Sequence, residues 1–263
     1  MKEFPTSNSR RHRAAARRVA MMVTDRLRRE GARAVVLLGS FARGKPHAHS
    51  DIDLVVIGRG GHTFERRDGF LVSIARGQAR EELEDFRSPV AVGKVIPGWR
   101  EAELLWDPHG IARRIQLRAK RWRWRRIAPA AARRVASDLT HRSENVHKMV
   151  GCFNAGDLTS AAIQQAVLAI FLPAAMAIHL RLLYRSENRL WNEVSRRMGP
   201  GWRRHQRRAL GLGGEPLPVR CRSTLMLYRL AATRAWRALN ATQREMVSAA
   251  RAIKMEGWRD PTP

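Results

Sequence analysis

The segment that most constrains this chain is Gly39-Ser40-Phe41-Ala42-Arg43-Gly44, six intervening residues, then Asp51-Ile52-Asp53-Leu54. It follows the apolar run Ala34 to Leu38 and leads into a second one that ends at Ile57. Both runs read as short buried strands. Alternate residues of a strand share a face, so Asp51 and Asp53 point the same way, close together. Side-by-side carboxylates repel, and a cation between them relieves the repulsion. Mg²⁺ suits the position, because it takes one or two carboxylates plus substrate phosphates and keeps its remaining waters. Upstream, Gly39-Ser40 ends a strand and starts a short helix. Free backbone N–H groups and the Ser40 hydroxyl at such a turn can cradle phosphates. Glycine at position 39 lets the backbone approach a ligand closely. Arg43 and Lys45 sit beside this loop, within reach of a triphosphate. Gripping a triphosphate and neutralising its charge are what an in-line displacement at phosphorus needs.

The rest of the chain is organised around this segment. Helical spacing of apolar residues runs from about Arg10 to Glu30, with Gly31 as a C-terminal cap. Asp51 to Ile57 is the second strand, turned back by Gly58-Arg59-Gly60-Gly61, and Phe70 to Ala75 is the third. Gln78 to Phe86 reads as a helix and Ala102 to Trp106 as a fourth strand. The turn Asp107-Pro108-His109-Gly110 closes it. Everything after it reads helical: Ile111 to about Arg126, Ala130 to Val150, Leu158 to Tyr184, Glu187 to Met198, and two segments beyond the loop Gly211 to Pro218. A short mixed sheet with helices, residues 1–127, is therefore followed by an all-α bundle, residues 128–263.

Composition narrows the possibilities less. The chain holds 50 Lys and Arg against 23 Asp and Glu, a net charge of +27. Such a field attracts phosphates and nucleic acid and repels polycations. The basic residues are almost all Arg and are spread along the whole length, so charge alone names no partner. Two distant cysteines, Cys152 and Cys221, have no zinc-type spacing and fit a reducing cytoplasm. The apolar run Ala166 to Leu180 is too short to cross a bilayer and carries Pro173 and His179, so it reads as a core helix, with no membrane partner. His47 and His49 read as loop residues that shape the approach to Asp51. The basic-aromatic run Arg118 to Arg126 reads as an amphipathic helix, its tryptophans packed on the bundle beneath snorkelling arginines.

Taken together, the Gly-Ser turn and the spaced Asp-x-Asp pair resemble the DNA-polymerase-β-like nucleotidyltransferase superfamily. More specifically, the chain is similar to kanamycin nucleotidyltransferase and its aminoglycoside-modifying relatives. The supporting features are the strand Gly69 to Ile74, the turn Trp106 to Gly110 leading into a helix, and Glu144 with Lys148. The resemblance implies an α/β (α+β) nucleotidyltransferase domain followed by a helical domain. It also implies transfer of a nucleoside monophosphate, AMP from ATP, with Mg²⁺ on Asp51 and Asp53. The acceptor would be a hydroxyl of an aminoglycoside-like molecule, which makes antibiotic resistance the expected role. Glu144 would be the general base, while Gly39, Ser40, Arg43 and Lys148 would contact the nucleotide. Relatives often build the site across a homodimer. On spacing alone, Glu144 and Lys148 are also an ordinary i,i+4 ion pair. One departure stands out: the superfamily's third acidic position falls on Ser73, and Glu65 and Asp68 would need a different register to replace it. A non-catalytic nucleotide-binding regulator, antitoxin-like, and an RNA-modifying nucleotidyltransferase are the rival readings.

Overall fold

The structure is a computed structural model that describes residues 6–256. The chain divides into two compact units, Met1–Arg126 and Ile127–Pro263. In the first, the elements in order are α1 Thr6–Arg29, β1 Ala34–Leu37, α2 Gly39–Ala42, β2 Ile52–Ile57, β3 His62–Arg67, β4 Phe70–Gly77, α3 Ala79–Asp85, α4 Val92–Arg100, β5 Glu103–Trp106 and α5 Ile111–Arg121. The five strands form one mixed sheet in the order β3-β4-β2-β1-β5. β1 is antiparallel to β2 and β5, β2 is parallel to β4, and β3 is antiparallel to β4.

Strand alternation divides this sheet cleanly. Ile52, Leu54 and Val56 of β2, with Val72 and Ile74 of β4, bury against Ala16, Val19, Ala20, Val23 and Leu27 of α1. Those five α1 residues recur at the three- and four-residue spacing of one helix face. Asp53 and Ser73 have the opposite parity and so belong to the other face, away from α1. That division places the site.

β3 is a strand the sequence reading passed over. Its connection to β4 is Asp68-Gly69, both at positive φ (47° and 84°), as a two-residue hairpin turn requires. β3 is almost wholly exposed, His-Thr-Phe-Glu-Arg-Arg, and carries no apolar alternation to announce it. α4 was also passed over, because Gly93, Pro97 and Gly98 lie within it. The helix read as Ile111 to Arg126 stops at Arg121 and gives way to a short 3-10 turn, Trp124–Ile127.

The second unit comprises α6 Ala128–Asn154, α7 Leu158–His179, α8 Glu187–Met198, α9 Pro200–Ala209, α10 Leu217–Ala235 and α11 Ala241–Ala252. α9, unread in the sequence, begins at Pro200, which suits the first turn of a helix. α7 ends at His179 rather than Tyr184. It extends upstream of the apolar run to 22 residues, so in length and composition it could cross a bilayer. Here it packs within the bundle. Its buried Gln165 donates to Ala209 O at 2.8 Å and to Thr224 Oγ1 at 2.9 Å, contacts that satisfy a buried amide. Buried Tyr228 of α10 sits 2.7 Å from Ser143 Oγ and donates to Leu139 O at 3.1 Å, tying α10 to α6.

Candidate active site

The turn after β1 is built around a close approach. Gly39 has φ +70°. A Cβ there would collide with Asp53 Oδ2 and come within 3.1 Å of Asp53 Cγ. Only a residue without a side chain lets α2 begin directly over the Asp53 carboxylate. Leu38 N donates to Asp53 O at 2.9 Å, which fixes the turn to β2. The first-turn amides of a helix have no intrahelical acceptor, so the Gly39-Ser40 turn presents donors next to the carboxylates.

Asp51 immediately precedes β2 and Asp53 lies within it. Burial, with the Asp51 charge second, pushes the Asp53 carboxyl up to about 6. Lys94 of α4, Arg43 and His62 act in the opposite direction. Lys94 and His62 were missing from the sequence-level candidates. Lysine is scarce in this Arg-rich chain, and that scarcity was the available signal for Lys94. His62 lay in the unread strand. Arg43 is largely buried and 4.0 Å from Glu101, so it lies between an acidic neighbour and the Asp53 field.

Ser73 is the cross-strand neighbour of Asp53 in the parallel β2–β4 pairing. His62 Nε2 lies 2.8 Å from its hydroxyl. The two acidic residues considered as substitutes point elsewhere. Glu65 opposes Val72, on the α1 face, and is paired with Arg26. Asp68 is in the hairpin turn. Among the described residues, no group of three or more His, Cys, Asp or Glu is arranged to hold a metal. An oxygen-only pair, with one carboxyl raised by burial and then by its neighbour, nevertheless fits a hard cation that takes its remaining ligands from substrate phosphates and water.

The other expected site residues lie in the helical unit. Lys148 Nζ is 2.6 Å from Glu144 Oε1 on α6, and both side chains are exposed. The Lys148 hydrogen bond, then its charge, holds the Glu144 carboxyl below the usual range. The same contact raises the Lys148 ammonium. The structure therefore gathers Gly39, Ser40, Arg43, Asp51 and Asp53 in one unit, and Glu144 and Lys148 in the other. His47 and His49 form their own loop: His47 N donates to Ser50 Oγ at 2.9 Å and His49 N to His47 Nδ1 at 3.2 Å. Trp122 is buried in the N-terminal unit, not on the bundle, and its Nε1 donates to Phe86 O at 2.8 Å.

Residues 21–95, which include this turn and the Asp pair, match the family model described as the nucleotidyltransferase domain. The fold is similar to that of a nucleotidyltransferase-like protein from Exiguobacterium sibiricum 255-15, with a TM-score of 0.51 at 12% identity. The similarity covers 79% of this chain and 71% of that one. No curated protein matches the sequence. The fold class is a nucleotidyltransferase domain with a five-stranded mixed sheet, followed by a mostly helical region.

Proposed function

We propose that this protein transfers a nucleoside monophosphate from a nucleoside triphosphate, ATP in the first instance, to the hydroxyl of a small acceptor. The observation that carries the reading is the Asp53 carboxylate seated against the Gly39 turn, with Asp51 beside it. Phosphate oxygens accept from the turn's amides and from Ser40, and Arg43 and Lys94 add positive charge around the same carboxylate. Asp51 and Asp53 would hold Mg²⁺, which neutralises the triphosphate and the charge that develops on the leaving pyrophosphate. Glu144 is the proposed general base for the acceptor hydroxyl. Ionised as any exposed carboxylate is, it is made less basic by the Lys148 contact, so Lys148 must leave it before it can take the proton. Lys148 is proposed to pass from Glu144 to the nucleotide phosphates once they are bound.

An aminoglycoside-like acceptor is the class we propose, on the resemblance of the Glu144–Lys148 pair. A polycation entering a protein at +27 needs carboxylates to receive it. Asp138 and Glu144 line a polar surface on α6 together with Arg134 and Arg142, and they already pair with Arg134 and Lys148, so a polycationic acceptor would have to displace those cations.

The test is pyrophosphate release from each of the four nucleoside triphosphates with Mg²⁺ and pooled acceptors, aminoglycosides among them. Asp51→Asn and Glu144→Gln are run alongside. Release by the wild type and its loss in both variants is the expected result. Ser73 beside Asp53 favours a second reading, nucleotide binding without turnover. That reading gains if triphosphate binds with Mg²⁺ and no pool releases pyrophosphate. Absence of triphosphate binding sinks both.

A further inference from the structure

The sequence between Asp107 and Asp138 contains no acidic residue. Eight of its cations fall between Arg113 and Arg126, and all eight are exposed. α5 supplies five of them: Arg113, Arg114, Arg118, Lys120 and Arg121. Its opposite face, Ile111, Ala112, Ile115 and Ala119, is buried in the N-terminal unit. Arg100 fixes the end of the helix, donating to Ala119 O at 2.9 Å and to Trp122 O at 3.0 Å.

Some arginines elsewhere find carboxylates: Arg17 with Glu103, Arg26 with Glu65, Arg76 with Glu30, Arg134 with Asp138. Among the described residues, none of the eight cations is ion-paired. Arg114 and Arg123 donate only to backbone carbonyls. Like charges held this closely repel one another, and a bound polyanion would relieve that repulsion.

We propose that the exposed face of α5 and the turn after it bind the phosphate backbone of a nucleic acid. This goes beyond the transfer reaction and does not depend on it. An eleven-residue helix is roughly 16 Å long, so its five cations stand about one per 3 Å. Duplex DNA presents one phosphate per about 1.7 Å of axis, a charge density that such a surface can engage without base contacts. A membrane is the poorer match. An interfacial helix needs an exposed apolar face to insert, and here that face is inside the fold. Trp122 is buried and Trp124 is half-buried with its ring packed edge-on against it, so the cations are the exposed groups and recognition is of the backbone.

The experiment uses the full chain and a fluorescein-labelled single-stranded RNA of about 20 nucleotides, titrated over a range of salt concentrations at constant pH. One variant replaces Arg113, Arg118, Arg121 and Arg125 with Ala. A control of equal net charge replaces the exposed Arg66, Arg67, Arg203 and Arg204. We expect affinity that falls steeply with salt. The cluster variant should bind at least tenfold more weakly, with the log–log salt slope reduced by about 3, and the control within about twofold of wild type. Thermal unfolding of both variants checks that the fold is intact. Equal weakening of both would show that binding follows net charge and would overturn the proposal. So would absence of RNA binding at low salt, or a cluster variant that loses anionic vesicles while retaining RNA.

Discussion

Gly39→Ala tests the heart of the candidate site. At φ +70° an L-residue costs about 1–2 kcal/mol relative to glycine. The added methyl also falls on Asp53 Oδ2 and lies 3.1 Å from Cγ, so the carboxylate must rotate away. Forcing a side chain off its rotamer in a packed setting costs a further ~1–2 kcal/mol. In an Asp53→Ala background the nearest remaining atom is the residue-53 Cβ at 3.5 Å, an ordinary contact. There only the backbone cost should survive. The double-mutant cycle is therefore expected to show a coupling of about 1–2 kcal/mol. Native-state hydrogen exchange of peptides covering residues 34–57 reads this for the relevant unit alone, which global unfolding of a two-unit chain would not. Under the proposed reaction the single variant should also lose at least about a hundredfold in pyrophosphate release, since the 1 Å-scale placement of reacting groups sets the rate. Equal costs of Gly39→Ala in the two backgrounds would refute the close approach. A cost within about 0.5 kcal/mol of zero would refute the backbone argument as well.

Asp53→Asn should stabilise the metal-free protein at pH 8 while abolishing transfer. Its carboxyl rises from 3.8 when unfolded to about 6 when folded, so stability falls as pH rises from about 4 to 6 and stays lower above. The gain at pH 8, in EDTA, is expected to be about 1–3 kcal/mol and to vanish below pH 4; a flat pH profile would contradict it. Ser73→Asp places a third carboxylate beside Asp53 and should lower the Mn²⁺ concentration for half-maximal nucleotide binding several-fold, read by calorimetry. No change would mean that position 73 does not face the bound cation. Tyr228→Phe removes a hydroxyl bonded to Ser143 and Leu139 O in the bundle and should cost about 1–2 kcal/mol, followed by exchange of α6 peptides.

The site was legible to the extent that it is local in sequence. The Gly39-Ser40 turn and the Asp51-x-Asp53 alternation require only a strand, a turn and a strand, and these can be read from runs of buried aliphatics. His62 and Lys94 reach Asp53 through elements with no such runs. β3 is solvent-exposed, so no alternation marks it, although the Asp68-Gly69 dipeptide at its end is a hairpin turn that could have. α4 buries Val92, Ile96 and Trp99 despite two glycines and a proline, packing having overridden propensity. The resemblance put Ser73 at the superfamily's third acidic position, and the β2–β4 register does set Ser73 beside Asp53.

Ser73 and the raised Asp53 carboxyl belong to one electrostatic argument. Two carboxylates in a half-buried position already carry a charging cost large enough to lift one of them by about two pH units. A third on the adjacent strand would raise that cost and leave the empty site more protonated at neutral pH. A hydroxyl held by His62 adds none of it. Under the proposed reaction the consequence would fall on recruitment: with two acidic ligands rather than three, the protein alone would attract a divalent cation weakly, and the triphosphate would bring most of the remaining coordination. Under the proposed reaction, cation and nucleotide therefore bind together, each raising the affinity of the other by the same factor. Titrating Mg²⁺ at fixed ATP analogue, and the analogue at fixed Mg²⁺, should give equal coupling; strong Mg²⁺ binding without nucleotide would show that the missing carboxylate is supplied from elsewhere.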